Sequence, residues 1–185
     1  MILSNVEIRN ALNQGRLIIT PNPQPSSYDT TAVDLHLASA LSIPGTGPFN
    51  YDLRRGGIAT FLSRNSSHVD IPDAGYVLEP RVFLLGRTVE KVSLPLLTGQ
   101  SLAARIEGKS SFARCGLLVH FTAPTVHAGF DGTLTLEMIN LGSAGISLFT
   151  GMPICQLILE TVIGDPDPHP SQFQGQTTPA GISRS

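Results

Sequence analysis

The chain has 185 residues, a length that suits one domain with a sizeable hydrophobic core and needs no disulfide bonds for stability. Charged residues make up only 14% of the chain and the formal net charge is -2, so no overall field attracts nucleic acid or a membrane surface. The two cysteines, Cys115 and Cys155, form no C-x-x-C pair, and the sequence shows neither a signal peptide nor a membrane-spanning run. These features predict a soluble cytoplasmic protein that binds neither nucleic acid nor membranes.

A short amphipathic helix is predicted at residues 5–14. Ser4 followed by Glu7 matches a capping box, and Gly15 suits the end of the helix. The rest of the chain shows short apolar or alternating runs that are cut by Gly, Pro, Asn and Asp, which is typical of many short strands in a sandwich or barrel. The eighteen glycines and fourteen prolines agree with this pattern. We therefore expect a mainly β protein with a short N-terminal helix.

The segment 44–73 is rich in Gly, Asn, Ser and Asp and is predicted to be an irregular excursion from the sheet. Two strands are predicted between residues 76 and 95, and the last strands cover the runs G-T-L-T-L-E-M-I-N, I-S-L-F and I-C-Q-L-I-L-E. After Ile163 the chain carries four prolines and almost no apolar anchor. The predicted organisation is one domain at 1–163 and a flexible C-terminal segment at 164–185.

Residues 105–114, R-I-E-G-K-S-S-F-A-R, concentrate positive charge. Arg105, Lys109 and Arg114 are three of the twelve basic residues of the chain. The run G-K-S-S offers a lysine, two hydroxyls and a backbone freed by glycine, and these groups can surround a phosphate. It is not a Walker A loop, which needs a glycine where this chain has Ala103. A solvated turn whose cations face water is the alternative interpretation.

Glu137 is the strongest candidate for a proton-transfer group. Alternation in G-T-L-T-L-E-M-I-N predicts one face with Leu134, Leu136 and Met138, and an opposite face with Thr133, Thr135, Glu137 and Ile139. An ordinary carboxylate on the wet side of a sheet is the alternative. If a partner covers this face, partial desolvation would raise the pKa of Glu137 toward that of a useful base.

Three runs taken in order, E-G-K-S-S-F-A-R-C-G-L-L-V-H, T-A-P-T-V-H-A-G-F-D-G and T-L-T-L-E-M-I-N-L-G, closely resemble the dCTP deaminases, relatives of the trimeric dUTPases. Further matches in register are L-S-N-V-E-I-R-N-A-L-N-Q-G-R-L-I-I-T-P, A-V-D-L-H-L, L-E-P-R-V-F-L-L-G-R-T-V-E and F-Q-G-Q, so the resemblance covers nearly the whole chain outside 44–73. It implies a distorted β-barrel or jelly-roll-like fold of the dUTPase-like, β-clip type. It also implies a homotrimer with active sites between subunits.

The same resemblance implies a nucleotide site in which Glu137 is catalytic together with Ser110 and Arg114. The implied nucleotide-binding residues are Lys109, Ser110, Ser111, Phe112, Ala113, Arg114, His127, Thr135, Leu136, Glu137, Gln156, Gln172 and Gln176. Mg²⁺ is expected to arrive with the triphosphate. Zinc is not expected, because the H-x-E and C-x-x-C pattern of zinc-dependent deaminases is missing from the sequence. Ser110 and a backbone carbonyl near Thr122 or Ala123 would hold the reacting water.

Departures from the family pattern occur at His127 and Gln172. His127 stands where deaminases and dUTPases commonly carry an acidic residue, and this argues against cleavage of the triphosphate. Whether His127 contacts the sugar or is only a surface residue stays open. Gln172 stands where relatives often have lysine. His120 matches a position that the family associates with switching to a dTTP-inhibited form, although a histidine satisfied in the trimer core fits equally well, and inhibition by dTTP stays open.

The predicted function is hydrolytic deamination of dCTP to dUTP and ammonia, with Glu137 moving the protons. The alternatives are a dUTP diphosphatase, a bifunctional deaminase and diphosphatase, and a nucleotide sensor without catalysis. The presence of Glu137 together with the phosphate-type turn disfavours the sensor. The segment 164–185 is expected to close over the site as a lid.

Overall fold

The structure, a computed structural model, describes residues 1–45, 47, 50–52, 54, 57–169 and 174–179. Within these residues the fold is mainly β, as the sequence predicts, with three short α-helices. The helices are α1 (Asn5–Asn13), α2 (Ile58–Arg64) and α3 (Ser110–Ala113). The strands are β1 (Ile18–Thr20), β2 (Val33–His36), β3 (Ala40–Pro44), β4 (Ser66–Asp70), β5 (Tyr76–Leu78), β6 (Phe83–Ser93), β7 (Leu102–Gly108), β8 (Leu117–Val119), β9 (Thr125–Val126), β10 (Asp131–Asn140), β11 (Ile146–Leu148) and β12 (Pro153–Thr161).

Helix α1 begins and ends close to the predicted positions. The hydroxyl of Ser4 accepts a hydrogen bond from the backbone N–H of Glu7 at 3.3 Å, as a capping residue should. The Glu7 carboxylate instead accepts from Asn10 at 3.0 Å, so only half of the capping box forms. Gly15 follows the helix at φ 69°, a left-handed conformation that glycine adopts without steric cost. Ile8 on the inner face of α1 is fully buried in the core.

The strands pair antiparallel in three sheets that enclose one hydrophobic core. The largest sheet has the order β4-β3-β6-β10-β8, and β1 also pairs with β6. The second sheet has the order β2-β12-β7-β9, and β5 and β11 form a two-stranded ribbon. Leucine, isoleucine and valine side chains from all of these sheets meet in the core. No helix in the described part of the chain is both long and apolar enough to cross a membrane.

The segment predicted as an irregular excursion contains regular structure. Strands β3 and β4 pair along their whole length, from Ala40 with Asp70 to Pro44 with Ser66, and α2 lies in the connection between them. The sequence did not predict α2. Ile58, Phe61 and Leu62 stand at helical spacing in α2, but seven residues are too few for a clear periodic signal, and none of them is buried. Residues 46, 48–49, 53 and 55–56 of this segment lie outside the described ranges.

A buried carboxylate ties the two large sheets together. Glu90 lies on the core face of β6 and is almost fully buried. One of its oxygens accepts from the backbone N–H of His36 on β2 at 2.9 Å, and the other lies 2.6 Å from His36 Nδ1. A buried carboxylate is tolerated when both oxygens have partners, and His36 supplies both. The two cysteines are free thiols, and burial raises the pKa of Cys155, which lies nearby in the core.

Gly175 and Gln176 of the C-terminal segment bond to β10. The backbone carbonyl of Gln176 accepts from the N–H and the hydroxyl of Thr133 at 3.1 and 3.0 Å. The Gln176 side chain donates to the Thr133 carbonyl at 2.8 Å, and the Gly175 N–H donates to the Asp131 carbonyl at 2.7 Å. These bonds cover the edge of β10 at its N-terminal end. Residues 170–173 and 180–185 lie outside the described ranges.

Candidate active site

Glu137 lies in the middle of β10, on the face that alternation predicts. Leu134, Leu136 and Met138 are buried in the core, while Glu137 points to the opposite face with about a third of its side chain exposed, 32%. Because the Leu136 side chain is fully buried, only its backbone is available to a ligand. Thr135 shares the face of Glu137 and lies opposite Arg87 on β6. The strand therefore presents Thr135 and Glu137 side by side.

His120 contacts Glu137, a pairing that sequence reasoning missed. The Nδ1 atom of His120 lies 2.7 Å from Oε2 of Glu137, and the backbone N–H of His120 donates to the Glu137 carbonyl at 2.7 Å. On its other side, Nε2 of His120 lies 2.8 Å from the Ala123 carbonyl. A carbonyl only accepts, so Nε2 carries a proton. His120 has φ 55°, a left-handed conformation that is uncommon outside glycine and is often found at functional sites.

The contact between His120 and Glu137 is short but poorly aligned. Both Nδ1 and Oε2 are buried, and neither makes a hydrogen bond of good geometry. With Nε2 protonated, a neutral imidazole would turn a lone pair toward the carboxylate, so the pair is stable only if it holds a further proton. We therefore describe it as an imidazolium–carboxylate ion pair. Its two buried polar atoms can still gain hydrogen bonds from a bound molecule.

The pKa of Glu137 within one chain results from two opposing effects. Burial alone raises it, as predicted, but the contact with His120 and the charge of His120 outweigh burial and lower the pKa below its usual value. Burial likewise lowers the pKa of His120, but the contact with Glu137 and its charge, helped by the backbone of Ala123 and Thr135, raise it overall. The expected rise was conditional on a partner that covers this face, and within one chain the contact with His120 sets the opposite direction. An opposite charge within hydrogen-bonding distance dominates over partial desolvation here.

The cationic segment folds into β7 and the short helix α3, and its three cations face different partners. Arg105 lies within β7, with Nε 3.5 Å from carboxylate oxygens of both Glu107 and Glu160. Lys109 directly precedes α3, and its Nζ lies 2.6 Å from the carboxylate of Asp34. Arg114 is exposed and makes no ion pair with any residue that the structure describes. Arg114 is therefore the cation most available to an anion.

Most of helix α3 is exposed and accessible to a ligand. Ser110, Ser111 and Ala113 are exposed, and Phe112 is half-buried against the core. The helix packs against β8, which in turn pairs with β10. The hydroxyls of α3 and the carboxylate of Glu137 thus belong to neighbouring elements. The described contacts do not join them directly within one chain.

Gln156 and Asp34 lie next to Lys109. Gln156 is half-buried on β12 and donates from Nε2 to the free oxygen of the Asp34 carboxylate at 3.2 Å. Asp34 was not among the predicted site residues. The only sequence signal for it is its place in the run A-V-D-L-H-L, where alternation turns it away from the core as the neighbours Val33 and Leu35 turn inward.

The predicted site residues His127 and Gln176 make no described contact with Glu137. His127 is exposed, just after β9. Gln176 is buried against Thr133, four positions along β10 from Glu137, which corresponds to about 13 Å of strand. Gln172 lies outside the described residues. The described ranges contain no group of three or more His, Cys, Asp or Glu side chains arranged to hold a metal ion.

The fold and the site together define a class of protein. It is an antiparallel β protein in which a carboxylate on β10 contacts the imidazole that follows β8, and an accessible turn of hydroxyls and cations packs on β8. A family model described as dCTP deaminase-like matches residues 2–162. The chain belongs to this dCTP deaminase-like family. The resemblance inferred from the sequence motifs is therefore confirmed.

Individual relatives agree with this assignment. A dCTP deaminase, dUMP-forming, from Methanosphaera stadtmanae is 32% identical over 192 residues, which cover 96% of this chain and 91% of the relative. A dCTP deaminase from Rhodospirillum rubrum is 35% identical over 167 residues, 88% of this chain and 84% of the relative. The crystal structure of 2'-deoxycytidine 5'-triphosphate deaminase from Agrobacterium tumefaciens matches with a TM-score of 0.65 at 21% identity, over 87% of this chain and 48% of that chain. This structural match confirms the expected fold.

Proposed function

We propose that this chain catalyses the hydrolytic deamination of dCTP to dUTP and ammonia. The observation that carries the proposal is the pair of Glu137 and His120, whose buried polar atoms Oε2 and Nδ1 lack well-aligned partners. The names of the relatives from Methanosphaera stadtmanae and Rhodospirillum rubrum support the same substrate. A nucleotide sensor would not require a half-buried carboxylate paired with an imidazole.

In the proposed reaction Glu137 moves the protons. The ionised carboxylate removes one proton from water as the water oxygen bonds to C4 of the pyrimidine, and it passes this proton to the ring nitrogen N3. It then takes the proton of the new C4 hydroxyl and passes it to the departing amine, which leaves a carbonyl at C4. The C4–N bond breaks and ammonia leaves. His120 holds the carboxylate in place and lowers its pKa, which favours the ionised form that accepts a proton. The Ala123 carbonyl already accepts from His120, so it offers a reacting water only its second lone pair.

The triphosphate is assigned to the turn around α3. We propose that Lys109, Ser110, Ser111 and Arg114, with the backbone of Phe112 and Ala113, meet a triphosphate that carries Mg²⁺. Thr135 and the backbone of Leu136 would lie beside the base and sugar, with His127, Gln156, Gln172 and Gln176 as further contacts. We propose a homotrimer in which neighbouring subunits complete each site, because no described hydrogen bond or ion pair joins α3 to Glu137 within one chain. A deoxynucleotide substrate and free thiols fit a cytoplasmic protein.

The second candidate is a bifunctional enzyme that releases dUMP. It is favoured by the 32% identity to the dUMP-forming enzyme of Methanosphaera stadtmanae over nearly the whole chain. His127 argues against it. An exposed histidine replaces the acidic residue that the family commonly carries there, so a carboxylate to activate water near the α-phosphate is missing at this position.

We expect dUTP to accumulate as the end product. Purified protein is incubated with dCTP and Mg²⁺, and dUTP, dUMP and pyrophosphate are separated over time. Without a carboxylate at residue 127 the triphosphate should leave intact, so dUTP and ammonia should appear in equal amounts. Stoichiometric pyrophosphate with dUMP would establish the bifunctional enzyme instead, and no deamination at all would contradict the proposed function.

We expect substitution of His120 by Asn to move the acidic limb of the pH profile upward. In the wild type His120 lowers the pKa of Glu137, so the base stays ionised below the ordinary glutamate pKa of about 4.3. Without the imidazolium, burial of Glu137 is no longer opposed, its pKa rises, and activity is lost at a higher pH as the solution is acidified. The measurement is kcat/KM for dCTP against pH. The control is His68→Asn, at an exposed histidine on β4, which should leave the acidic limb of the pH profile unchanged. If the acidic limb is also unchanged in His120→Asn, the ion pair does not determine its position.

A further inference from the structure

A carboxylate on a different strand holds the ammonium group of Lys109. The Nζ atom lies 2.6 Å from Oδ2 of Asp34, and the two side chains expose only 22% and 18% of their surface. Asp34 lies on β2, whereas Lys109 directly follows β7. Strand β12 runs between β2 and β7, so the two backbones are separated by about 10 Å. The lysine side chain therefore extends across β12 to reach its partner.

Gln156 fixes the other oxygen of the same carboxylate. It lies directly opposite Asp34 in the ladder between β2 and β12, and its Nε2 donates to Oδ1 of Asp34 at 3.2 Å. Gln156 also bonds Asp29, whose pKa is lowered by the backbone N–H of Thr30 and by Gln156. Each oxygen of Asp34 thus has its own partner. The carboxylate cannot turn to solvent without losing one of them.

A carboxylate at this place is unfavourable for the binding of a triphosphate on charge alone. It cancels the charge of Lys109 and repels phosphate oxygens. Its advantage is orientation, because a free lysine has four flexible bonds and loses that freedom when it binds a ligand. The Lys109 carbonyl also accepts from the N–H groups of Phe112 and Ala113 at 3.0 Å, so Lys109 begins the turn that presents Ser110 and Arg114. A fixed Lys109 fixes the start of that turn.

We propose that Asp34 is a positioning residue of the nucleotide site. It orders Lys109 and the turn from Lys109 to Arg114 before the nucleotide arrives, so less ordering is needed when the triphosphate binds. The role is exerted through Lys109, and Asp34 itself does not touch the reacting atoms. This inference rests on the proposed function, since it assigns the turn to the triphosphate of dCTP.

The test compares KM and kcat for dCTP with Mg²⁺ in the wild type, Asp34→Asn, Lys109→Met and the double variant. Loss of the ordering should raise KM about two- to tenfold in Asp34→Asn, with kcat within about twofold of the wild type. The double variant should have the KM of Lys109→Met alone, because Asp34 acts only through the lysine. Asp70→Asn is a charge-matched control on β4, where the carboxylate accepts from Ser39, and its KM should not change.

Three results would overturn the inference. A lower KM in Asp34→Asn would mean that the carboxylate competes with the phosphate for Lys109. A lower Tm with an unchanged KM would leave Asp34 a purely structural role, and additive effects in the double variant would show that Asp34 acts independently of Lys109. If Asp34→Asn folds poorly, Asp34→Glu is measured instead. This variant keeps the negative charge but moves the carboxylate away from its position in the wild type, so the inference predicts that KM rises in this variant as well. Wild-type protein that leaves dCTP unchanged would contradict the proposed function, whereas wild-type turnover with a normal Asp34→Asn contradicts only this inference.

Discussion

Replacement of Glu137 by Gln is expected to abolish the turnover of dCTP while leaving nucleotide binding largely intact. The amide has the shape of the carboxylate but cannot take a proton from water or return it to the ring and the amine. Loss of a general base typically lowers a rate by about 10²- to 10⁴-fold, and the loss is larger where one group performs several transfers. Steady-state turnover and calorimetric titration with dCTP and Mg²⁺ measure the two effects separately.

The matched control for this variant is Glu160→Gln. Glu160 lies on β12 and faces Arg105 at 3.5 Å, away from the contact between Glu137 and His120, so the same chemical change should leave turnover near the wild-type value. The Gln variant at residue 137 should also release His120 from its ion pair, which lowers the pKa of that histidine. Near-normal turnover in Glu137→Gln would remove Glu137 from the mechanism. Loss of binding together with turnover would make it a binding residue.

Features that depend on neighbouring residues in the chain could be predicted from the sequence. Alternation in β10 correctly placed Glu137 opposite the core side chains Leu136 and Met138, because successive side chains on a strand point to opposite faces. The capping residue Ser4 and the terminal Gly15 likewise located α1 to within one residue. Periodicity and capping are local, so one sequence carries enough information to specify them.

Features that depend on strand register could not be predicted in the same way. His120 and Glu137 meet because β8 pairs with β10 and ends one residue before His120, and no local pattern specifies that register. The consequence is chemical: the imidazolium reverses the direction in which the pKa of Glu137 moves. Asp34 and Lys109 are 75 residues apart and meet only because β12 lies between their strands. Both pairs give the groups that the motifs had identified a partner of opposite charge.

The second large effect is expected from removal of the C-terminal segment. Truncation after Gly164 deletes Gln176 and Gly175, and with them the four hydrogen bonds that cover Asp131 and Thr133 at the edge of β10. The segment has little apolar surface with which to order itself, so its order depends on this docking and on any nucleotide beneath it. As a lid it would exclude bulk water and strengthen the contacts between the triphosphate and the turn around Arg114. We expect kcat/KM for dCTP to fall on the order of 10²-fold, as for other losses of substrate positioning.

Two point variants separate a lid from a mere structural support. Gln176 is buried and bonds Thr133 three times through its backbone and side chain, whereas Gln174 is exposed and donates one bond to the Gly129 carbonyl at 3.1 Å. Gln176→Ala should therefore reproduce part of the loss in kcat/KM, and Gln174→Ala should have little effect. The oligomeric state and Tm of each variant are measured in parallel, because a lid predicts lost turnover in a protein that remains folded and assembled. Unchanged kinetics after truncation would show that the segment does not act on the site, and a fall in Tm that accounts for the lost activity would make it a structural support of β10.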